Sequence, residues 1–177
     1  MYVFVGLNVS EFFPKIKDEI KRIEEKLEYK NNLSKLPLHI SLKMSFEISD
    51  DKLDNVLDEL TLFFKDLTPI MVVPKEIEND NGICWIRMDE NKRLNLIHDK
   101  LNTLLQNKFN VPLHEYDLDY KFHTTLFLDK DINKVNESFE LIKEEVLPVN
   151  IFPEEILIGV SPNGDVGSYE IIRRIFI

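Results

Sequence analysis

The feature that most limits the possible folds of this sequence is an order of elements that occurs twice. Each copy reads as a helix, a strand with a histidine, a second helix and a pair of strands, and the two histidines are His39 and His123. Their separation is about half of the 177-residue chain. Such a duplication predicts two similar lobes, each a small antiparallel sheet backed by helices, with a cleft between them that is lined by both histidine strands. No linker is evident, so we expect residues 1–177 to form a single domain.

The individual elements follow from hydrophobic periodicity and from turn residues. Helices are indicated by apolar side chains that recur every three or four residues, as in the series that begins after Pro14. Strands are indicated by short apolar or alternating runs that are bounded by Asn, Gly or Pro. The predicted strands are residues 1–8, 38–48, 70–73, 83–88, 121–128, 156–160 and 169–177, and the predicted helices are 14–27, 53–64, 90–108 and 132–146.

The two histidine strands carry versions of one short motif. The first reads His39-Ile40-Ser41-Leu42 and the second reads His123-Thr124-Thr125-Leu126. Because side chains alternate across a strand with period two, His39 and Ser41 share a face, as do His123 and Thr125. A single His-x-Ser triplet is a weak signal, but two copies in matching positions predict a shared site.

Two imidazoles and two hydroxyls suit the chemistry of a phosphodiester. Displacement at phosphorus places the attacking and leaving oxygens on opposite sides, so a base is needed on one side and an acid on the other. Histidine can fill both roles near neutral pH. We therefore predict His39 and His123 as the acid–base pair, and Ser41 and Thr125 as donors to the phosphate oxygens.

Two lysines could add positive charge beside this phosphate. Strict alternation places Lys43 on the face of Ser41 and Lys121 on the face of His123. A solvated lysine is the alternative interpretation for both. We keep them as possible accessory residues.

Other side chains have weaker claims on the site. Trp85 is either an aromatic surface at the cleft or part of the packing under a helix. Arg173 and Arg174 are adjacent in the last strand, so one of them must face the cleft side. His98 and His114 lie in a helix and in a polar loop, where a structural or solvated role is expected.

Composition limits the partners and the compartment. A formal net charge of −10 and a pI near 4.9 argue against broad binding of duplex nucleic acid, which needs a basic face, but allow a nucleotide or an RNA terminus. No apolar run is long enough to predict a membrane span, and residues 1–5 resemble a strand more than a signal peptide. The single cysteine, Cys84, fits a reducing cytoplasm.

The paired motifs resemble the His-x-Ser/Thr-hydrophobic motifs of the two-histidine (2H) phosphoesterase superfamily, and most closely its 2'-5' RNA ligase-like, cyclic phosphodiesterase branch. The resemblance covers essentially the whole chain, and it implies an α+β, bilobal fold with pseudo-twofold symmetry, in which antiparallel sheets are backed by helices around a central cleft. It implies activity without a cofactor or a metal on RNA 2',3'-cyclic phosphate ends or related nucleotide phosphodiesters, with ligation as the reverse reaction and a role in RNA processing. It also implies that His39 and His123 are the acid–base pair and that Ser41 and Thr125 hold the phosphate.

Two alternatives from other classes remain open at this point. A non-catalytic module could use the same cleft to bind a nucleotide or an RNA terminus, although binding alone does not need two proton-transfer groups. A metal hydrolase could use both histidines as ligands, but each motif supplies one good ligand and no nearby carboxylate. Activity that is insensitive to a chelator would separate the metal-independent enzyme from the metal hydrolase.

Overall fold

The computed structural model describes residues 1–177, apart from the side chain of residue 34. Seven strands and four α-helices follow one another in the predicted order. The strands are β1 (Tyr2–Asn8), β2 (His39–Glu47), β3 (Pro74–Asp80), β4 (Ile83–Met88), β5 (His123–Leu128), β6 (Glu155–Ser161) and β7 (Glu170–Phe176). The helices are α1 (Pro14–Lys26), α2 (Leu53–Phe64), α3 (Lys92–Phe109) and α4 (Ile132–Ile142).

The strands form an antiparallel sheet in the order β3-β4-β5-β2-β1-β6-β7. The outer ladders run along most of each strand, whereas β2 and β5 meet in the middle through the pair Ile40 and Thr124. The sheet is therefore nearly divided into two half-sheets, one of β2, β1, β6 and β7 and the other of β5, β4 and β3. This arrangement confirms the predicted α+β, bilobal fold.

Each half-sheet combines a histidine strand from one repeat with the strand pair from the other. The strand pair β3–β4 follows β2 in the sequence, yet it pairs with β5. The strand pair β6–β7 follows β5, yet it joins β2 through β1. Consecutive halves of the chain therefore do not correspond to separate lobes, because the two repeats exchange their strand pairs.

The helices bury their apolar faces against these half-sheets and against one another. In α1 the predicted series is buried at Ile16, Ile20 and Ile23. Helices α1 and α4 contact each other, α4 covers β3 and β4, and α3 packs on β2. Burial of these faces is the main favourable contribution to stability and fixes the position of the two histidine strands.

The strand predicted at residues 70–73 is wrong. Apart from the isolated bridge between Val72 and Ile151, that segment is an irregular connection in which Ile70 and Val72 are buried and Met71 is exposed. The strand follows directly after it, at Pro74–Asp80. The sequence of β3 is polar because this strand lies at the edge of the sheet and exposes much of its surface. Asn81 and Gly82 form the tight turn to β4, with φ values of 46° and 85°.

The last predicted helix also ends earlier than expected. Helix α4 stops at Ile142, and Val146, predicted on its apolar face, is largely exposed. None of the helices among the described residues has the length and hydrophobicity that a membrane-spanning segment requires.

Candidate active site

The two histidine motifs lie side by side where the half-sheets meet. The side chains of Ile40 and Thr124, which join β2 to β5, are fully buried. Their neighbours point to the other face, so the structure brings His39 and Ser41 close to His123 and Thr125 at the surface between the half-sheets, all partly exposed. Because the strands are antiparallel, His39 lies on the side of Thr125 and Ser41 lies on the side of His123.

Both histidine rings are held by the same backbone contact. The Nδ1 atom of His39 lies 2.8 Å from the carbonyl oxygen of Pro37, and the Nδ1 atom of His123 lies 2.8 Å from the carbonyl oxygen of Lys121. A carbonyl oxygen only accepts hydrogen bonds, so each Nδ1 carries a proton and donates it. The Nε2 atoms are left to accept or donate protons in the cleft, which is the arrangement that acid–base work requires.

His39 packs closely against β1. Its ring lies 4.8 Å from that of Phe4, centroid to centroid, and an added Cβ on Gly6 would come within 2.8 Å of its Cδ2 atom. Glycine at position 6 is therefore what makes room for the ring. Burial lowers the pKa of His39, the hydrogen bond to Pro37 opposes that change, and the nearby charge of His123 lowers the pKa further. The neutral form of His39 is favoured near neutral pH.

His123 lies at a wider and more aromatic part of the site. Its ring is 6.0 Å from that of Trp85, centroid to centroid, and Arg87 is its cross-strand neighbour. It lines a cavity of about 560 Å³, which we call the aromatic cavity. Its aromatic side chains are Trp85, Tyr116, Tyr120 and Phe122, and its carboxylates are Glu78, Glu115 and Asp119.

The two hydroxyls have different neighbours. Ser41 interacts with the hydroxyl of Tyr120, and this interaction lowers the pKa of Tyr120 while the larger effect of burial raises it. The Tyr120 ring stacks on the buried His98 at a centroid distance of 4.4 Å. Thr125 instead lines a second cavity, of about 410 Å³, on the far side of the site from the aromatic cavity.

Lys43 does not lie in the cleft, in contrast to the position expected from strict alternation. The ladder between β1 and β2 shifts register between Ser41 and Lys43, because Gly6 pairs with Ser41 while Val5 pairs with Lys43. The shift turns Lys43 to the opposite face of the strand, where only 2% of its side chain is exposed. There it forms an ion pair and a hydrogen bond with the buried Asp117.

The Asp117 carboxylate is held from several directions. It also accepts hydrogen bonds from the backbone N–H of His114, at 2.9 Å, and of Met44, at 3.4 Å. Burial by itself raises the pKa of Asp117, but Lys43 and these two donors outweigh it and hold the pKa below its usual range. The Lys43–Asp117 pair therefore connects β2 to the loop that contains Tyr120.

Lys121 remains at the rim of the site. Its side chain is 77% exposed, and its nearest charged partner is Asp119, at 4.0 Å. It lines the aromatic cavity, and its carbonyl oxygen holds the His123 ring. An accessory role for Lys121 stays a prediction.

Arginine–glutamate pairs flank both histidines, and the sequence did not identify them. Beside His39, the Asn8 amide and Arg174 both donate to Glu155, at 2.5 Å and 2.8 Å. Beside His123, Arg87 donates to Glu78 at 2.7 Å. Arg174 is thus the arginine of the last strand that faces the site, while Arg173 bonds Asp58 and Thr61 of α2.

The remaining histidines have structural contacts. His98 lies between the carbonyl oxygens of Leu42 and Asp117, at 2.9 Å and 3.1 Å, and His114 caps the short 3₁₀ helix Glu115–Asp117. In the described part of the chain, no group of three or more His, Cys, Asp or Glu side chains is arranged to hold a metal ion.

Comparison with known proteins gives a family and a fold. The sequence pattern of the 2'-5' RNA ligase superfamily matches residues 12–156. No curated protein matches the chain in sequence. Among solved structures, TT0787 of Thermus thermophilus is 14% identical with a TM-score of 0.63, and the match covers 99% of this chain and 97% of that one.

A second similar structure is that of LigT from E. coli. In its complex with NADP+ it is 14% identical with a TM-score of 0.58, over 99% of this chain and 96% of LigT. LigT has also been solved with 3'-AMP and with ATP. These likenesses agree with the fold described above.

Proposed function

The chain belongs to the 2'-5' RNA ligase superfamily, and from this membership we propose that it is a phosphoesterase that opens 2',3'-cyclic phosphates at RNA ends or in related nucleotides. The superfamily contains RNA ligases and phosphoesterases, so an enzyme of this general kind is supported. The observation that carries the proposal is the matched pair of histidines, each oriented through Nδ1 so that Nε2 is free for proton transfer. We also propose that residues 1–177 act as one domain, working in a reducing compartment such as the cytoplasm.

The reaction needs one group that accepts a proton from the attacking water and one group that donates a proton to the leaving oxygen. One histidine accepts a proton from water through Nε2 while the water oxygen attacks phosphorus. The bond from phosphorus to either the 2' or the 3' oxygen breaks, and the second histidine donates its Nε2 proton to that oxygen. The products are a phosphomonoester and a free hydroxyl. When an RNA hydroxyl replaces water, the same steps form a phosphodiester, which is the ligation direction.

The hydroxyls and the histidines together account for the chemistry without a metal. Ser41 and Thr125 lie on the same strand faces as the histidines, where they can donate to the non-bridging oxygens as negative charge develops. Nucleotides bound to LigT, a protein of the same fold, support a nucleotide or an RNA terminus as the ligand here. The net charge of −10 predicts that the chain does not bind duplex nucleic acid broadly, and we propose the same for the folded protein.

The first test is hydrolysis of the four nucleoside 2',3'-cyclic monophosphates in the presence of a chelator. Products resolved as 2'- or 3'-phosphates identify the bond that breaks. We expect turnover by the natural protein and by His114→Gln, a histidine variant outside the site, and almost none by His39→Ala or His123→Ala. Unchanged turnover in either alanine variant would refute the acid–base assignment. Binding of nucleotides without any turnover would favour the non-catalytic alternative.

A further inference from the structure

The cavity that is lined by Thr125 has a concentration of lysines. It lies between α1 and the segment 31–38, and we call it the lysine cavity. Lys17 and Lys21 are four residues apart on α1 and therefore share one face of that helix, while Lys35 reaches the cavity from the returning segment. Such a cluster is unexpected in a chain with a net charge of −10.

The three lysines have no internal counterion. None of Lys17, Lys21 and Lys35 forms an ion pair with any residue that the structure describes, and all three are exposed. The one carboxylate that lines the cavity is Glu24, and its Oε1 atom already accepts a hydrogen bond of 2.9 Å from the backbone N–H of Asn31. The concave shape therefore carries a net positive charge that is available to an anion.

The lysine cavity opens onto the proposed reaction centre. Thr125, one of the two phosphate-binding hydroxyls, forms part of its wall. Asn8, the cross-strand partner of His39, and Pro37, whose carbonyl oxygen orients His39, form another part. A molecule whose phosphate lies between the histidines can therefore extend past Thr125 into this cavity.

The aromatic cavity on the other side of the site has the opposite character. Its lining combines aromatic rings with three carboxylates, against Arg87 and Lys121 as cations. Arg87 is already paired with Glu78 and Glu76. This side suits a nucleobase, which stacks on aromatic rings and carries no negative charge, and does not suit a further phosphate.

We propose that the lysine cavity binds a second phosphate group of the substrate, so that the preferred substrate is a cyclic phosphodiester that carries at least one further phosphate. This inference rests on the proposed function, because it assumes that the reacting phosphate lies between His39 and His123. The further phosphate is either the terminal monoester of a mononucleotide or the next phosphodiester of an RNA end.

The test compares three substrates: adenosine 2',3'-cyclic monophosphate, the same compound with a 5'-phosphate, and a diadenosine nucleotide that ends in a 2',3'-cyclic phosphate. Because exposed ion pairs each contribute a modest amount, we expect the further phosphate to raise kcat/KM by about tenfold in the natural protein. The gain should shrink as the salt concentration rises. If kcat/KM rises for the 5'-phosphorylated mononucleotide alone, the lysine cavity binds a terminal monoester. If kcat/KM rises for the dinucleotide, the cavity binds the next phosphodiester of an RNA end.

The decisive variant is Lys17→Gln/Lys21→Gln/Lys35→Gln. It should lose the gain while it keeps the natural rate on adenosine 2',3'-cyclic monophosphate. The control, Lys65→Gln/Lys92→Gln/Lys100→Gln, removes the same charge from exposed lysines outside the cavity and should keep the gain. Equal gains in the two triple variants, or no gain in the natural protein, would overturn the proposal.

A binding measurement separates this proposal from the proposed function. Calorimetry compares adenosine 3',5'-bisphosphate with adenosine 3'-monophosphate, neither of which needs turnover. Tighter binding of the bisphosphate that is lost in the cavity variant supports the lysine cavity even if no cyclic phosphate is hydrolysed. Equal binding of both nucleotides refutes the lysine cavity even if hydrolysis is found.

Discussion

His39 on β2 and His123 on β5 are held by the same backbone contact in different surroundings. Each ring donates from Nδ1 to the carbonyl oxygen two residues earlier, at the same distance of 2.8 Å. His39, however, packs against Phe4 and against the backbone at Gly6, where no side chain intervenes. His123 instead faces the more open aromatic cavity. The orientation of the ring is thus set locally by the strand, whereas its proton affinity is set by the neighbours. A duplicated motif can therefore place two histidines of the same orientation in unlike surroundings.

The largest effects should follow removal of either histidine. We expect His39→Ala and His123→Ala each to lower kcat by about 10² to 10⁴-fold, since each removes one proton-transfer group. A substrate whose leaving oxygen is replaced by sulfur needs no proton from an acid. It should therefore restore the rate of one of the two variants, the one that lacks the acid, and steady-state kinetics on both substrates would assign the roles. Restoration of both variants, or of neither, would contradict a division into acid and base.

Strict alternation predicts both Lys43 and Lys121 beside the phosphate, yet their substitution should change the free energy of unfolding by very different amounts. Lys43→Met leaves the buried Asp117 carboxylate without its partner, so we expect a loss of about 3–5 kcal/mol in the free energy of unfolding. Lys121→Met changes an exposed side chain and should alter that energy by less than about 0.5 kcal/mol. Urea unfolding measures both. The double variant Lys43→Met/Asp117→Asn removes the unpaired charge but keeps an acceptor oxygen for the backbone N–H groups of His114 and Met44, so it should recover part of the loss. Equal effects of Lys43→Met and Lys121→Met would contradict the buried pair.

A methyl group at position 6 should disturb one half of the site and spare the other. Gly6→Ala places a Cβ within 2.8 Å of the His39 ring, so the ring must move away from its productive position. We expect kcat to fall by about 10- to 100-fold with little change in KM, because small displacements of a catalytic group are costly. NMR signals of His123 should change less than those of His39. A variant with the natural kcat would show that the ring adapts without cost.

The smallest effect concerns the titration of His39. Burial and the charge of His123 lower its pKa, so its NMR midpoint should lie below the ordinary value of about 6.5. Removing His123 should raise the midpoint while leaving it below that value, since burial is the larger cause. A midpoint at or above the ordinary value would contradict this account.

The same titration gives the sign of a pH effect on stability. A lowered pKa in the folded state favours the neutral ring, so its contribution to stability is present above the ordinary pKa and is lost as the pH falls through that value towards the folded pKa. The stability advantage of the natural protein over His39→Gln should therefore shrink between about pH 7.5 and pH 5. Urea unfolding at several pH values measures it, and an advantage that grows on acidification would contradict the sign.

The sequence predicted those features that depend on local periodicity. The shared faces of His39 with Ser41 and of His123 with Thr125 need only the alternation of an extended strand, and the structure has them as expected. Strict alternation predicts Lys43 in the cleft, and this prediction is wrong because no residue of β2 signals the register shift between β1 and β2. The strand β3 was missed because an edge strand can be polar, so its sequence lacks the apolar alternation that was sought. Gly6 was a signal that could have been used, since glycine inside a strand often marks a close approach.

The exchange of strand pairs between the two repeats also has a consequence for biosynthesis. The half-sheet that holds His39 takes its outer strands from residues 155–176, so a growing chain cannot complete that half-sheet when its first half has been made. Contacts that are distant in sequence form late and slowly, because the intervening chain must first be ordered. An incomplete nascent chain therefore lacks the strands that frame His39, and the paired histidine motifs are completed only when the two repeats have interlocked.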